Sequence, residues 1–353
     1  MASVSSANRV SVMAIIPETS STPLRHGGDL TEARRQFPNA PEPLIDLSTG
    51  INPHPYPIPQ LSSELLARLP QSVELDALIV AAAKFYAAPS PDHVVAAAGT
   101  QILLPLVASL IAPGRAAILG PTYAEHARVA ALIGHNVKQV HEVRELANAN
   151  LAIVVNPNNP DGHLCSRNGL LAVASELQSR GGLLVLDEAF VDVAPDGSSL
   201  APEVDRGHIV VLRSFGKFFG LAGLRLGFAL AAPELIARLA AWLGPWAVSG
   251  PAIAIGRLAL NDFAWAQAER ASLQQDARQL DRMLANCGLE IIGGTSLFRL
   301  ARTGAADALF HHLGNSGIWV RRFIEQPSWL RFGLPNRADA WTRLSTALAA
   351  FSK

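Results

Sequence analysis

Short runs of apolar residues alternate with stretches of helical periodicity through the middle of the chain. Four apolar runs end in turn or polar residues, and they lie at residues 116–119, 151–155, 183–186 and 209–212. Runs of this length that are apolar on both faces are typical of buried parallel strands. The intervening residues 123–133 and 168–179 have the apolar spacing of helices. This alternation predicts an α/β fold with a mostly parallel, doubly wound sheet.

The flanking segments have a different pattern. Residues 38–59 are rich in proline and cannot form a regular helix. A long helical pattern over residues 252–286 is followed by short apolar segments at residues 289–292, 296–300, 318–320 and 330–332, which indicate a smaller α+β domain. We therefore expect four parts: a flexible leader (1–25), an N-terminal arm joining the small domain (26–60), a large domain (61–245), and a long helix with the small C-terminal domain (246–353).

Composition narrows the classes of protein. Apolar residues make up 49% of the chain and charged residues 16%, which suits a large buried core. The 29 basic and 29 acidic residues balance, so a nucleic-acid partner is not expected. No segment reaches the roughly 18 unbroken apolar residues of a membrane span. The apolar patch at residues 10–16 is short for a signal peptide, and we expect a cytoplasmic protein.

Metal binding and disulfide bonds are not expected either. The chain has two cysteines, Cys165 and Cys287, which are too few for a disulfide framework or a structural zinc site. His311 and His312 are adjacent, and adjacent helix residues point in different directions, so they predict an ordinary helix surface.

Polar residues cluster just after the predicted strands, where open α/β sheets bind their ligands. Lys217 follows the last of the four apolar runs, at a rim where desolvation can make an amine nucleophilic. Asp187 ends the preceding run and could pair with a protonated pyridine nitrogen. The turn after the run at residues 151–155 contains Asn156, Asn158 and Asn159, and one of their amides could donate to an aromatic oxygen. Taken alone, Lys217 is more typical of a surface lysine and the asparagine segment of a turn, whereas Asp187 is equally typical of a helix cap.

A second set of residues could bind phosphate. Backbone amides at a helix N-terminus form a phosphate cradle, and a helical pattern over residues 102–111 follows Gly-Thr-Gln. A hydroxyl and a guanidinium near the lysine would add donors. Tyr123 could stack on a planar ring. The candidate phosphate ligands are Gly99, Thr100, Gln101, Ser214 and Arg225.

Three motifs occur in a characteristic order. They are Asn-Pro-Asn-Asn-Pro-Asp-Gly at residues 156–162, Asp-Glu-Ala-Phe at residues 187–190, and Ser-Phe-Gly-Lys followed by Gly-Leu-Arg-Leu-Gly at residues 214–227. Together they resemble the class I/II aminotransferase superfamily, and the similarity extends from His26 onward. The resemblance implies fold type I of the pyridoxal-5'-phosphate (PLP) enzymes, with residues 61–245 as the PLP-binding domain.

The resemblance also implies roles for individual residues. It makes Lys217 the Schiff-base lysine, Asp187 the partner of the pyridine nitrogen, Asn159 the donor to the phenolic oxygen and Tyr123 the stacking ring. The phosphate would be held by Thr100 and Gln101 amides, Ser214 and Arg225, with Tyr56 of a partner subunit reaching it in a homodimer. Arg331 would bind the substrate carboxylate. Arg321, His26 and Asn52 are further candidates for the substrate's anionic groups.

Two branches of the superfamily fit the chain. The segment His-Gly-Gly-Asp at residues 26–29, the segment at residues 46–53 and Phe190, where aminotransferases usually have tyrosine, resemble decarboxylases of L-threonine O-3-phosphate in cobalamin biosynthesis. We therefore expect release of carbon dioxide and (R)-1-amino-2-propanol phosphate from that small phosphorylated substrate. The alternatives are a histidinol-phosphate-type aminotransferase, because Phe190 does not forbid transamination, and a non-catalytic PLP-binding protein.

Overall fold

The computed structural model describes residues 27–351. The predicted leader over residues 1–25 and the candidate ligand His26 lie outside the described residues. Two β-sheets with surrounding helices form the described part of the chain.

The larger sheet has seven strands among the described residues. They are β2 (Val94–Ala97), β3 (Arg115–Leu119), β4 (Asn136–Val140), β5 (Leu151–Val155), β6 (Leu183–Asp187), β7 (Ile209–Ser214) and β8 (Gly227–Leu230). Their order is β2-β8-β7-β6-β5-β3-β4, and β8 alone runs antiparallel to its neighbours. The predicted mostly parallel sheet is confirmed.

The central strands are apolar because both of their faces are covered. Every residue of β5 and β6 is buried. Successive residues of β6 belong to different core clusters: Leu184 and Leu186 to one, Leu183 and Val185 to the other. This is the burial pattern of a doubly wound sheet. The edge strand β4 was not predicted, since it is largely exposed and carries no apolar run.

Helices pack on both faces of this sheet. They are α3 (Ser72–Tyr86), α4 (Thr100–Ala108), α5 (Glu125–Leu132), α6 (Arg167–Gln178), α7 (Phe215–Phe218) and α8 (Pro233–Leu243), preceded by α1 (Leu30–Gln36) and α2 (Glu64–Ala67) in the N-terminal region. The helix predicted over residues 102–111 begins two residues earlier, directly after Gly99, and ends at Ala108.

The long helical pattern over residues 252–286 is two helices, so the prediction of one long helix is wrong in this respect. They are α9 (Gly250–Asn261) and α10 (Phe263–Asn286). Asp262 separates them because its carboxylate accepts the backbone N–H of Trp265 at 3.0 Å and caps α10. A side-chain cap of this kind starts a new helix even where the apolar periodicity continues.

The smaller sheet has five strands among the described residues. They are β1 (Ile45–Leu47), β9 (Glu290–Thr295), β10 (Phe298–Arg302), β11 (Ile318–Phe323) and β12 (Gln326–Gly333), accompanied by α11 (Ala306–Asn315) and α12 (Ala338–Phe351). The order is β1-β11-β12-β10-β9, and β1 pairs in parallel with β11. The proline-rich segment thus supplies an edge strand. The domain boundaries at residues 25, 60 and 245 stay predictions.

Two further observations concern residues 27–351. No helix in this range has both the length and the apolar character needed to cross a bilayer. No three or more histidine, cysteine, aspartate or glutamate side chains in this range are grouped so that they could hold a metal ion.

Candidate active site

A cleft of about 1190 Å³ lies at the carboxyl ends of β2, β3, β5, β6 and β7 and extends to β11 and β12. Open α/β sheets bind ligands at this edge. The structure brings eleven of the predicted site residues to this cleft: Gly99, Thr100, Gln101, Tyr123, Asn159, Asp187, Ser214, Lys217, Arg225, Arg321 and Arg331.

The amine of Lys217 lies in an environment that disfavours its charge. Burial lowers the pKa of Lys217 to about 8, and the nearby guanidinium groups of Arg331 and Arg225 act in the same direction. The carboxylate of Asp187 opposes them. A lysine with a pKa in this range has a substantial neutral fraction near pH 8 and is therefore a nucleophile.

Asp187 is fixed at the end of β6 by two hydrogen bonds. Its Oδ1 accepts the backbone N–H of Ala189 at 3.1 Å, and its Oδ2 lies 2.9 Å from Nε2 of His126. Both Asp187 and His126 are more than 90% buried. The sequence does not single out His126, whose one signal is its position three residues after Tyr123.

The N-terminus of α4 forms a cradle that suits a phosphate group. Gly99 has a φ of +86°, and a Cβ at this position would lie 2.6 Å from Nη2 of Arg225. Only glycine allows the guanidinium to approach the helix N-terminus so closely. The first amides of a helix have no partner within it, so those of Thr100 and Gln101 are available beside this guanidinium. Ser214, at the end of β7, also lines the cleft.

Tyr123 is held by a chain of side chains from α4 and α5. Its hydroxyl lies 3.3 Å from Oε1 of Gln101, whose Nε2 donates to Glu125 at 2.9 Å. Burial raises the pKa of Tyr123 to about 12, with Glu125 and Asp187 contributing, so the phenol stays neutral at physiological pH. The side chain of Gln101 is thus engaged within the protein, which leaves its backbone amide for a ligand.

Arg331 links the two sheets across the cleft. Its Nη1 donates to Oδ1 of Asn159 at 2.5 Å, and its Nη2 donates to the carbonyl of Ser48 at 2.9 Å. Its buried Nε has no hydrogen-bond partner among the described residues. With its oxygen occupied, Asn159 has Nδ2 left as the group that could donate to a ligand oxygen.

Two arginines face each other on neighbouring strands of the smaller sheet. Arg321 of β11 and Arg331 of β12 are directly opposite in the antiparallel register, and both line the cleft. Burial lowers the pKa of Arg331 to about 10, and repulsion from Arg321 adds to the effect. Like charges at opposed positions destabilise a sheet, so this pair favours an anionic ligand.

Phe190 forms an apolar wall beside the lysine. Its ring lies 5.7 Å from Nζ of Lys217 and packs edge-on against Phe298, with ring centroids 5.1 Å apart. A Cβ on Gly50 would lie 2.9 Å from both rings, so the arm passes close over this wall.

Asn52 and Tyr56 are not among the residues that line the cleft. The side-chain amide of Asn52 donates to the carbonyl of Phe218 at 2.7 Å. The Tyr56 hydroxyl lies 3.3 Å from a carboxylate oxygen of Asp262. Within this chain, therefore, both residues bind the protein itself.

A buried ionic network supports the site from the other face of the sheet. Arg213 of β7 donates to Glu188 at 3.1 Å and also to Asp192, and all three residues are at least 95% buried. Arg213 and Glu188 are the sequence neighbours of Ser214 and Asp187, so side-chain alternation along the strands directs them to the opposite face. The network therefore ties together the two strand ends that present Ser214 and Asp187 to the cleft.

Comparison with known families identifies the class of protein that has this fold and this cleft. Residues 42–343 match the family "Aminotransferase class I and II". The chain belongs to this family, and the expectation from the three motifs is confirmed.

Individual relatives refine the comparison. The chain is 42% identical to the threonine-phosphate decarboxylase of a Sinorhizobium species over 335 residues, covering 93% of this chain and 98% of the relative. It is 29% identical to the histidinol-phosphate aminotransferase of Pectobacterium atrosepticum, with 96% of each chain covered. Among solved structures, the histidinol-phosphate aminotransferase of Sinorhizobium meliloti in complex with pyridoxal-5'-phosphate superimposes with a TM-score of 0.79 over 98% of each chain, at 21% identity. The last likeness concerns the fold alone.

Replacing Arg213 should destabilise the protein strongly. Arg213→Met would leave Glu188 and Asp192 buried without their cation, and such a loss costs about 3–5 kcal/mol. Urea denaturation should show this decrease in the free energy of unfolding. Arg302→Met, which removes an exposed pair with Glu290, is the matched control and should change stability little. Equal effects of both substitutions would contradict the assignment.

The reactivity of Lys217 should rise with pH through a midpoint of about 8. Below this pH the amine is protonated and unreactive, and an ordinary lysine becomes reactive only near pH 10.4. The rate at which a small aldehyde and cyanoborohydride label Lys217 can be followed by peptide mass spectrometry, with Lys217→Ala identifying the peptide. Arg331→Met should raise the midpoint and Asp187→Asn should lower it, because these charges act on the amine in opposite directions. A midpoint near 10 in the unmodified protein would refute this prediction.

Proposed function

We propose that this protein is a PLP-dependent carboxy-lyase that converts L-threonine O-3-phosphate to (R)-1-amino-2-propanol phosphate in cobalamin biosynthesis. The observation that carries the proposal is the opposed pair Arg321 and Arg331, which faces the reactive amine of Lys217 across one cleft. The 42% identity to a threonine-phosphate decarboxylase over nearly the full chain supports the same reaction.

The residues of the cleft fit PLP. The cradle of Gly99, Thr100 and Arg225 would hold its phosphate, and Asp187 would pair with its ring nitrogen. Lys217 would hold its aldehyde carbon. When bound, PLP supplies an electron sink for the electron pair that remains at Cα when a bond to that carbon breaks.

The substrate brings two anionic groups, a carboxylate and a phosphate, to a cleft with two opposed guanidinium groups. Arg331 has an orphaned, buried Nε, and it would bind the carboxylate through a bidentate fork. Arg321 would bind the phosphate. Binding of the two anions would offset the repulsion between the arginines, which gives selectivity for substrates with two anionic groups.

The protein's own groups would also handle the proton that decarboxylation requires. After carbon dioxide leaves, Cα needs one proton, and the ammonium form of Lys217 is the group that would deliver it. The apolar wall of Phe190 and Phe298 limits the water near the lysine. The carboxylate is held only while Arg331 is in place, so this residue decides which bond of Cα is aligned for cleavage.

The assay is the incubation of the PLP-loaded enzyme with L-threonine O-3-phosphate. We expect carbon dioxide and aminopropanol phosphate in equal amounts and no 2-oxo acid. Amino transfer from histidinol phosphate to a 2-oxo acid, with no carbon dioxide released, would instead assign the aminotransferase reaction. Lys217→Ala should remove both the activity and the visible absorbance of the bound cofactor, and a protein that keeps the absorbance without any turnover would be a PLP-binding protein only.

Arg331→Met tests the carboxylate site. Loss of a buried, hydrogen-bonded charge contact costs a few kcal/mol, so kcat/KM should fall on the order of 100-fold. Arg302→Met removes an exposed arginine of β10 and is the control, with unchanged kcat/KM. An Arg331→Met enzyme with the kinetics of the unmodified protein would exclude this role.

We also propose a homodimer. Large apolar side chains are exposed along residues 58–80, among them Leu66 (77% exposed), Leu69 (61%) and Val73 (65%). An exposed apolar patch of this kind is typical of an interface. Sedimentation velocity should give twice the 37.5 kDa of the chain, and Leu69→Glu with Val73→Glu should give monomers. Leu132→Glu, at an exposed leucine of α5, should leave the dimer intact, and a monomeric wild type would refute the proposal.

A further inference from the structure

The backbone of Lys217 is held by a segment more than 150 positions away in the sequence. The helix that carries Lys217, α7, has only four residues, so its final carbonyl groups need partners from elsewhere. Residues 52–56, which we call the strap, supply them. The backbone N–H of Asn52 donates to the Lys217 carbonyl at 2.9 Å, and the backbone N–H of Tyr56 donates to the Phe219 carbonyl at 2.9 Å.

The side chain of Asn52 completes this set. Its Nδ2 donates to the Phe218 carbonyl at 2.7 Å, while its Oδ1 accepts the backbone N–H of His54 at 2.8 Å. Asn52 is 2% exposed. Its amide therefore joins the strap to the end of α7 at a position closed to solvent.

The strap lies against Gly220, which follows α7. Gly220 has a φ of +67°, and a Cβ on it would lie 2.7 Å from Cα of Pro55 and 2.8 Å from the carbonyl oxygen of Asn52. Only glycine permits this approach. The position of the chain after Lys217 is thus set by direct contact with the strap.

Helix α10 holds the strap from its other side. Burial raises the pKa of the Glu269 carboxyl, and the nearby side chain of Asn52 opposes this effect. Asp276 lies 3.4 Å from His54. Asp262, which caps the helix, accepts from the Tyr56 hydroxyl. The three acids are seven residues apart, close to two helical turns, so they lie on one face of α10. Each of the three acids lies beside one non-proline side chain of the strap.

We propose that Asn52, held by Glu269, is a positioning residue that fixes the backbone of Lys217 and thereby the place of its amine in the cleft. The proposal rests on the assignment of Lys217 as the reactive lysine of the proposed function. It gives Asn52 a role different from the substrate contact expected from the sequence. Because α10 also packs against β9 and β10, the strap connects the smaller sheet to the lysine.

The test measures Lys217 directly, in the full-length chain and without an activity assay. Asn52→Leu keeps a side chain of similar size but removes the donor to Phe218. We expect the pH midpoint of Lys217 labelling by an aldehyde to rise from about 8 towards the ordinary lysine value, because a looser backbone lets water reach the amine. Hydrogen exchange at the amides of Phe219 and Gly220 should become about tenfold faster or more.

Substitutions at Glu269 provide a matched pair. Glu269→Gln keeps an oxygen that can accept from Asn52 and should keep the midpoint of the unmodified protein, whereas Glu269→Leu should shift it in the same direction as Asn52→Leu. Leu273→Ala, at a fully buried leucine of the same helix, is the control for general loss of stability and should not shift the midpoint. If Asn52→Leu does not fold, the two Glu269 variants carry the test.

The outcomes separate this proposal from the proposed function. Equal midpoint shifts in Leu273→Ala and Asn52→Leu would overturn the positioning role, as would unchanged values in both Asn52→Leu and Glu269→Leu. A wild-type enzyme that does not decarboxylate L-threonine O-3-phosphate, but in which the strap variants shift the Lys217 midpoint, would overturn the substrate assignment and support the strap.

Discussion

The electrostatic environment of one amine is the constraint on which the rest of the site depends. The pKa of Lys217 is lowered by burial and by the guanidinium groups of Arg331 and Arg225, and the carboxylate of Asp187 opposes these effects. Each of these charges must stay where it is, since Coulomb interactions change steeply over a few ångströms at low dielectric. The contacts around the site therefore matter because they keep Lys217, Arg331, Arg225 and Asp187 in fixed positions.

Two separate supports do this. On the far face of the sheet, Arg213 joins Glu188 and Asp192 and so fixes the ends of β6 and β7. Below the lysine, the strap satisfies the last carbonyls of α7 and is itself held by the acids of α10. Both supports consist of buried polar groups, and burying a polar group is unfavourable unless it has a partner. Disrupting either support should therefore lower the stability of the protein and also shift the residues of the cleft.

The arginine pair of the smaller sheet differs from these supports, because it places two like charges opposite each other. Arg321 and Arg331 lie opposite each other, and repulsion between these like charges has a cost in stability. An anionic ligand would relieve it, so binding energy and specificity come from the same contact. The two sheets thus carry different groups: Asp187 ends a strand of the larger sheet and Lys217 follows another, whereas Arg321 and Arg331 lie on the smaller one.

The sequence by itself determined the central sheet and most of the chemistry around it. The apolar runs that became β5, β6 and β7 are buried on both faces, and the residues after them reach the cleft because parallel strands end at one edge. Only the tertiary structure decided the partners. His126 beside Asp187, Arg213 beside Glu188 and Glu269 beside Asn52 are pairs separated by 61, 25 and 217 positions, and the local sequence pattern does not indicate any of them. Periodicity indicates which face of an element is buried, whereas the pairing of buried polar groups depends on how distant elements pack.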